Sequence, residues 1–158
     1  MAAPAEGARV TPAAAAEGNA VVEVPIRLFH SDPAGIIYYP NYFGMFDEAI
    51  EEWLAKVVGI DFAHLVREQG LGLPIVGAEC RFRAPVRIGD RLRIAVTLDA
   101  IEDTGIALVI HGTAASEPRV EARLTLAMSD LKSRARVPIP VEFRRRLDAI
   151  AEASAERP

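Results

Sequence analysis

The hydrophobic period of the chain changes twice between its ends. From Ala20 to Phe29 the run AVVEVPIRLF is short and β-branched, and it contains Pro25. It predicts a strand in which the proline marks an edge or a bulge. From Asn41 the apolar residues recur at Tyr42, Phe43, Phe46, Ala49, Ile50, Trp53, Leu54 and Val57. That is the i, i+3, i+4, i+7 spacing of a helix with one broad buried face, started by Pro40 and Asn41 and stopped by Gly59. A short second helix is predicted over Asp61 to Glu68, ended by GLGLP at 70–74.

From Leu73 to Leu131 the period is two. Leu92, Ile94, Val96 and Leu98 face one way, with Arg91, Arg93, Thr97 and Asp99 opposite. Val120, Ala122, Leu124, Leu126 and Met128 repeat the pattern, with Arg119, Glu121, Arg123 and Thr125 on the other face. Turn residues fall at 88–90, 102–105 and 116–118, so the pattern predicts a meander of antiparallel strands. Its middle run, Ile106 to Ile110, is apolar without alternation, which implies cover on both faces. A final amphipathic stretch, Val141 to Ile150, predicts a terminal helix. The expected fold class is α+β: one long central helix wrapped by a curved antiparallel sheet of about five strands.

At 158 residues, half of them hydrophobic, the chain fits one compact domain, placed at 20–150. Residues 1–19, rich in Ala, Gly and Pro, read as a mobile leader and 151–158 as a fraying tail. The leader lacks the basic start and the solid apolar block of a secretory signal. No apolar run approaches the length of a membrane span. Net charge is −4, so overall charge draws the protein neither to nucleic acid nor to an anionic membrane. One cysteine, Cys80, allows no internal disulfide, and three scattered histidines make no metal-binding spacing. A reducing, cytoplasmic setting is the expectation.

The candidate chemistry lies between the first strand and the long helix, in RLFHSDPAGIIYYPNYFGMFDEAIEEWL, 27–54. Pro33 pushes Asp32 toward extended backbone, so its carboxylate belongs to neither element. Seven residues later the helix begins, and its unpaired N–H groups favour negative charge. Acyl transfer needs this pair: a carboxylate to attack a carbonyl or activate water, and donors where the oxyanion develops. Gly35 lets a ligand approach the backbone. An aspartate in this place also serves as turn former or cap, and the residues alone leave both roles open.

The block Asp32-Pro33-Ala34-Gly35-Ile36, followed by Tyr38-Tyr39-Pro40-Asn41-Tyr42 and Phe46-Asp47-Glu48-Ala49, resembles the 4-hydroxybenzoyl-CoA thioesterase family of hot-dog-fold acyl-CoA thioesterases. The element order extends the likeness over most of Val21 to Arg136. The resemblance implies hydrolysis of an acyl-CoA thioester to free acid and coenzyme A, with Asp32 as nucleophile or general base. It implies that the backbone N–H of Tyr39 polarises the thioester carbonyl, that no cofactor is used, and that active sites lie near a subunit boundary in a homodimer or homotetramer. Family members often carry a second acid two positions before the catalytic aspartate, where this chain has His30. Relatives acting on aliphatic esters often have histidine where Tyr39 stands, so the resemblance points to aryl-CoA substrates.

His30 could shuttle a proton or simply orient the loop. Asp47, within the acidic run Asp47, Glu48, Glu51 and Glu52, is a reserve catalyst on what is otherwise a solvated face. Cys80, His64 and His111 read as structural. Coenzyme A carries phosphates, and two basic groups could meet them: Arg81, Arg83, Arg87, Arg91 and Arg93, assigned to a first hairpin, and Lys132, Arg134 and Arg136 after the last strand. The expected substrate-binding set is His30, Pro33, Gly35, Asp47, Lys132, Arg134 and Arg136. A hot-dog hydratase or dehydratase would need a histidine–carboxylate pair and a His-Phe-Pro loop that is absent. A non-catalytic acyl-CoA binding module is the other alternative.

Overall fold

The computed structural model describes residues 20–156, so the 1–19 leader and the last two residues of the tail lie outside the described part. The elements are β1 (Val21–Pro25), α1 (Asn41–Trp53), α2 (Phe62–Arg67), β2 (Leu71–Gly72), β3 (Ile75–Phe82), β4 (Arg91–Ile101), β5 (Gly105–Ala114), β6 (Glu117–Ala127), β7 (Ser129–Asp130) and α3 (Val141–Ala155). Five strands form one antiparallel sheet in the order β1-β4-β5-β6-β3. The predicted α+β architecture, a long helix against a five-stranded sheet, is what the chain adopts.

The core follows from the two periods. Tyr42, Met45, Phe46, Ala49, Ile50 and Trp53 form the buried stripe of α1. They meet Leu92, Ile94 and Val96 of β4, Leu108 and Ile110 of β5, and Val120, Ala122 and Leu124 of β6 within one cluster. A side chain of this size contributes about 1.5–3 kcal/mol when fully buried, so the stripe is what holds helix to sheet. α1 continues into a π-helical turn, Leu54–Val58, which Gly59 ends in the left-handed region with φ +75°.

Three boundaries differ from the sequence pattern. The first strand stops at Pro25, which has no N–H for a ladder, and Leu28–His30 form a 3-10 turn instead of extending it. β3 and β4 are not a hairpin: β3 crosses to the far edge and pairs with β6, while β4 lies between β1 and β5. Arg81 and Arg91 are therefore on separate strands three places apart in the sheet. The helix at the C-terminus runs on past Ile150 to Ala155.

One irregularity re-aims a side chain. Gly112 pairs with Val120 and Thr113 with Pro118, which leaves Arg119 as the extra residue of a β-bulge. Strict alternation puts Arg119 in one row with Glu121 and Arg123. Those two find partners in Arg83 and Asp99 respectively, whereas Arg119 forms no ion pair among the described residues.

Candidate active site

The loop from Leu28 to Pro40 is short on regular structure and dense in backbone bonds. The Tyr38 N–H donates to the His30 carbonyl at 2.9 Å, and the Asp32 N–H to the Ile36 carbonyl at 3.0 Å, closing 30–38 on itself. Ile37 and Ile88 tie this loop to the segment before β4, through the Val86 carbonyl at 2.9 Å and the Gly35 carbonyl at 3.1 Å. Gly35, at φ +75°, makes the turn that brings the chain back. The Asn41 side-chain amide donates to the His30 carbonyl at 2.9 Å, fastening the loop to the first turn of α1. Asn41 had been legible only as a start signal; its reach across eleven residues was not.

Asp32 is half-buried. Its Oδ1 accepts the Ala34 N–H at 2.8 Å, an Asx turn set up by Pro33 between them. The turn-forming role and an open carboxylate thus coexist, because only one oxygen is engaged by the turn. At the far side of the same loop, the N–H groups of Asn41, Tyr42 and Phe43 donate back to Tyr38, Tyr39 and Pro40. Pro40 has none to offer. Among the described residues the Tyr39 N–H donates to no protein acceptor, which leaves it as the open donor at the entrance to α1. The loop therefore presents a carboxylate oxygen and an amide donor on one closed scaffold.

His30 is tied down: its Nδ1 accepts the Arg27 N–H at 2.9 Å, and its ring packs edge-on against Phe29. Pro33 is exposed. Asp47 lies on α1, open to solvent on one side, with its pKa raised by desolvation. Cys80 is partly buried, and burial first, then the Glu79 carboxylate, push its thiol pKa up, the opposite of an activated nucleophile.

The two basic groups differ in part, since Arg87 and Arg93 of the first are exposed and form no ion pair among the described residues. Arg81, Arg83 and Arg91 pair with Glu79, Glu121 and Glu23. Lys132, Arg134 and Arg136 are exposed and form no ion pair among the described residues. Their loop is ordered by Asp130, whose Oδ1 accepts the N–H groups of Lys132 at 3.0 Å and Ser133 at 2.6 Å. Those bonds hold the Asp130 carboxyl below its ordinary value, Ser133 contributing most.

This basic loop and the Asp32 loop are not brought together within one chain. The Asp32 loop, through Ile36 and Ile37, lies by the Pro85–Arg87 segment, next to the start of β6, where the Arg119 carbonyl accepts the N–H groups of Arg83 and Ala84. Lys132 to Arg136 follow the end of β6, roughly 30 Å away at ~3.3 Å per strand residue.

Comparison with known proteins adds to this picture. The sequence profile of the thioesterase-like superfamily matches residues 27–147. A 1,4-dihydroxy-2-naphthoyl-CoA hydrolase of Thermosynechococcus vestitus is 31% identical over 133 residues, covering 84% of this chain and 90% of that protein. A solved gentisyl-coenzyme A thioesterase superposes with a TM-score of 0.74 at 27% identity, over 80% of this chain and 98% of its own. The 1,4-dihydroxy-2-naphthoyl-CoA thioesterase of Synechocystis, at 23% identity and TM-score 0.74 over 85% and 98% of the two chains, shares the fold.

Proposed function

Because this chain belongs to the thioesterase-like superfamily of hot-dog enzymes and is an acyl-CoA thioesterase, we propose that it hydrolyses aryl-CoA esters with Asp32 as the catalytic carboxylate. The observation that carries this reading is the loop 30–41. It holds the second oxygen of Asp32 clear of the turn and leaves the Tyr39 N–H without a protein acceptor. A thioester carbonyl accepting from Tyr39 is polarised where negative charge develops. Asp32 then attacks the carbonyl carbon, or takes a proton from the attacking water. The carbon–sulfur bond breaks, coenzyme A leaves as thiolate, and water supplies the oxygen of the free acid. The proposed reaction draws on no cofactor.

The aryl preference is supported by the relatives, which are named for hydroxylated aromatic acyl groups rather than specifically for 4-hydroxybenzoyl-CoA. It is supported also by the aromatic side chains Tyr38, Tyr39 and Tyr42 at the loop's exit. Coenzyme A phosphates would be met by Lys132, Arg134 and Arg136, three exposed cations close in sequence that form no ion pair among the described residues. Since these lie at the other end of β6 from Asp32, the proposal requires a second subunit. β3 is an edge strand with Val76 and Phe82 exposed, and two-fold pairing of β3 with its copy runs antiparallel. That pairing carries the basic loop of one protomer toward the Asp32 loop of the other. A homodimer is the smallest assembly this reading allows.

The test is release of free thiol from benzoyl, hydroxybenzoyl, dihydroxynaphthoyl, phenylacetyl and short aliphatic CoA esters. Turnover concentrated on the aryl esters is expected. Equal or better turnover of the aliphatic esters would overturn the substrate assignment.

A further inference from the structure

The arginine displaced by the β-bulge is placed with the Asp32 loop, not with the surface cations. Its Nη1 donates to the Pro85 carbonyl at 3.4 Å, and the adjoining Val86 carbonyl receives the Ile37 N–H of that loop. The Arg119 Nε is buried and has no hydrogen-bond partner among the described residues. A buried guanidinium donor left unpaired is costly, and an acceptor on a ligand or a bound water would satisfy it. The surroundings are aromatic. Tyr42, one turn into α1 from the open Tyr39 N–H, packs against Phe82 with ring centroids 5.3 Å apart and against Phe46 at 6.1 Å. The Arg119 charge is felt at Tyr42, where it opposes the burial that pushes the phenol up to about 12. Phe82 is half exposed on β3, where the pairing proposed above would bring a second protomer beside this cluster.

We propose that Arg119 is a specificity-determining residue that donates through Nε to an oxygen substituent on the aromatic ring of the acyl group, with Tyr42 and Phe82 flanking the ring. The inference rests on the aryl-CoA thioesterase reading above. Phosphate is the poorer candidate for this donor, because the side chains around it, Tyr42, Phe46 and Phe82, are aromatic. A ring lacking the oxygen leaves the Nε–H buried and unpaired in the complex as well, and that penalty is what generates discrimination.

The experiment compares kcat/KM for 2,5-dihydroxybenzoyl-CoA and benzoyl-CoA in the full-length protein, Arg119→Met and Arg119→Lys. Lysine keeps the charge but has no Nε–H in the same place. Both variants are expected to lower the ratio of the two kcat/KM values by about 10- to 100-fold, the discrimination that a charge-assisted hydrogen bond supplies. An unchanged ratio overturns the inference, whether both esters decline together, as a phosphate contact or a folding role would require, or neither does. Calorimetric titration of the matching non-hydrolysable thioether analogues reads the same ratio without turnover. Absence of hydrolysis by the wild type would thus count against the thioesterase reading, while an unchanged binding ratio would count against Arg119.

Discussion

At the scale of single residues, the site depends on how one carboxylate is divided. Asp32 gives Oδ1 to the Ala34 N–H and keeps the other oxygen for chemistry, so the residue that shapes the turn is also the one the reaction would use. Asn41 does comparable double duty, opening α1 and holding the His30 carbonyl. Asp47 is the contrasting carboxylate, and its pKa gives a prediction. Partial burial raises it above the ordinary 3.8. The folded state then holds this proton more tightly than the unfolded chain, so the carboxyl lowers stability as pH rises through the window between the ordinary and the raised value. Asp47→Asn removes that loss. The variant is expected to have a slightly higher Tm than the wild type at pH 7, with the difference fading toward zero below the ordinary carboxylate range. A Tm difference that is the same at pH 3 and pH 7 would contradict the burial argument.

At the scale of elements, the β4-β5-β6 meander depends on close strand approach. A Cβ added at Gly105, the first residue of β5, would be driven into the Leu126 carbonyl oxygen and the Ala127 Cα of β6, which are backbone atoms and cannot rotate aside. Gly105→Ala is expected to cost about 1–3 kcal/mol, measured by denaturant unfolding. A loss within a few tenths of that of an exposed control would mean that the strands can separate freely there. Most of this architecture was legible in the sequence, because α1, β4 and β6 keep their periods over ten or more residues and bury what the period selects. The failures share a physical cause. Strand order is a long-range choice that local alternation does not encode, so β3 was placed beside β4 when it pairs with β6. A bulge adds one residue to a strand without altering its composition, so Arg119 was assigned to the row of Glu121 and Arg123. The 3-10 turn at Leu28–His30 was hidden inside an apolar run that β-propensity alone extends too far.

At the scale of the whole molecule, an acidic chain carries one cluster of unpaired positive charge, Lys132, Arg134 and Arg136, at the other end of β6 from its candidate catalytic loop, while Arg27, Arg87 and Arg119 beside that loop also form no ion pair among the described residues. Among the described residues three arginines near β3 and β4 are neutralised by glutamates, while Lys132, Arg134 and Arg136 are not. The turn that carries Asp32 was readable because proline, glycine and aspartate specify it locally. The separation of that turn from the basic loop was not, since it follows from the direction of β6 and from strand order. It is this separation that turns an expected oligomer into a requirement of the proposed mechanism. The central claim is narrower and can be tested first. Asp32→Asn preserves an Oδ1 acceptor for Ala34 and removes the charge, so the loop should keep its shape. Free-thiol release from an aryl-CoA ester by this variant is expected to fall by ~10²–10⁴-fold in kcat, the range for a positioned acid–base group, with little change in the affinity for a non-hydrolysable analogue. Near wild-type release by Asp32→Asn would contradict the account and move the catalytic carboxylate elsewhere.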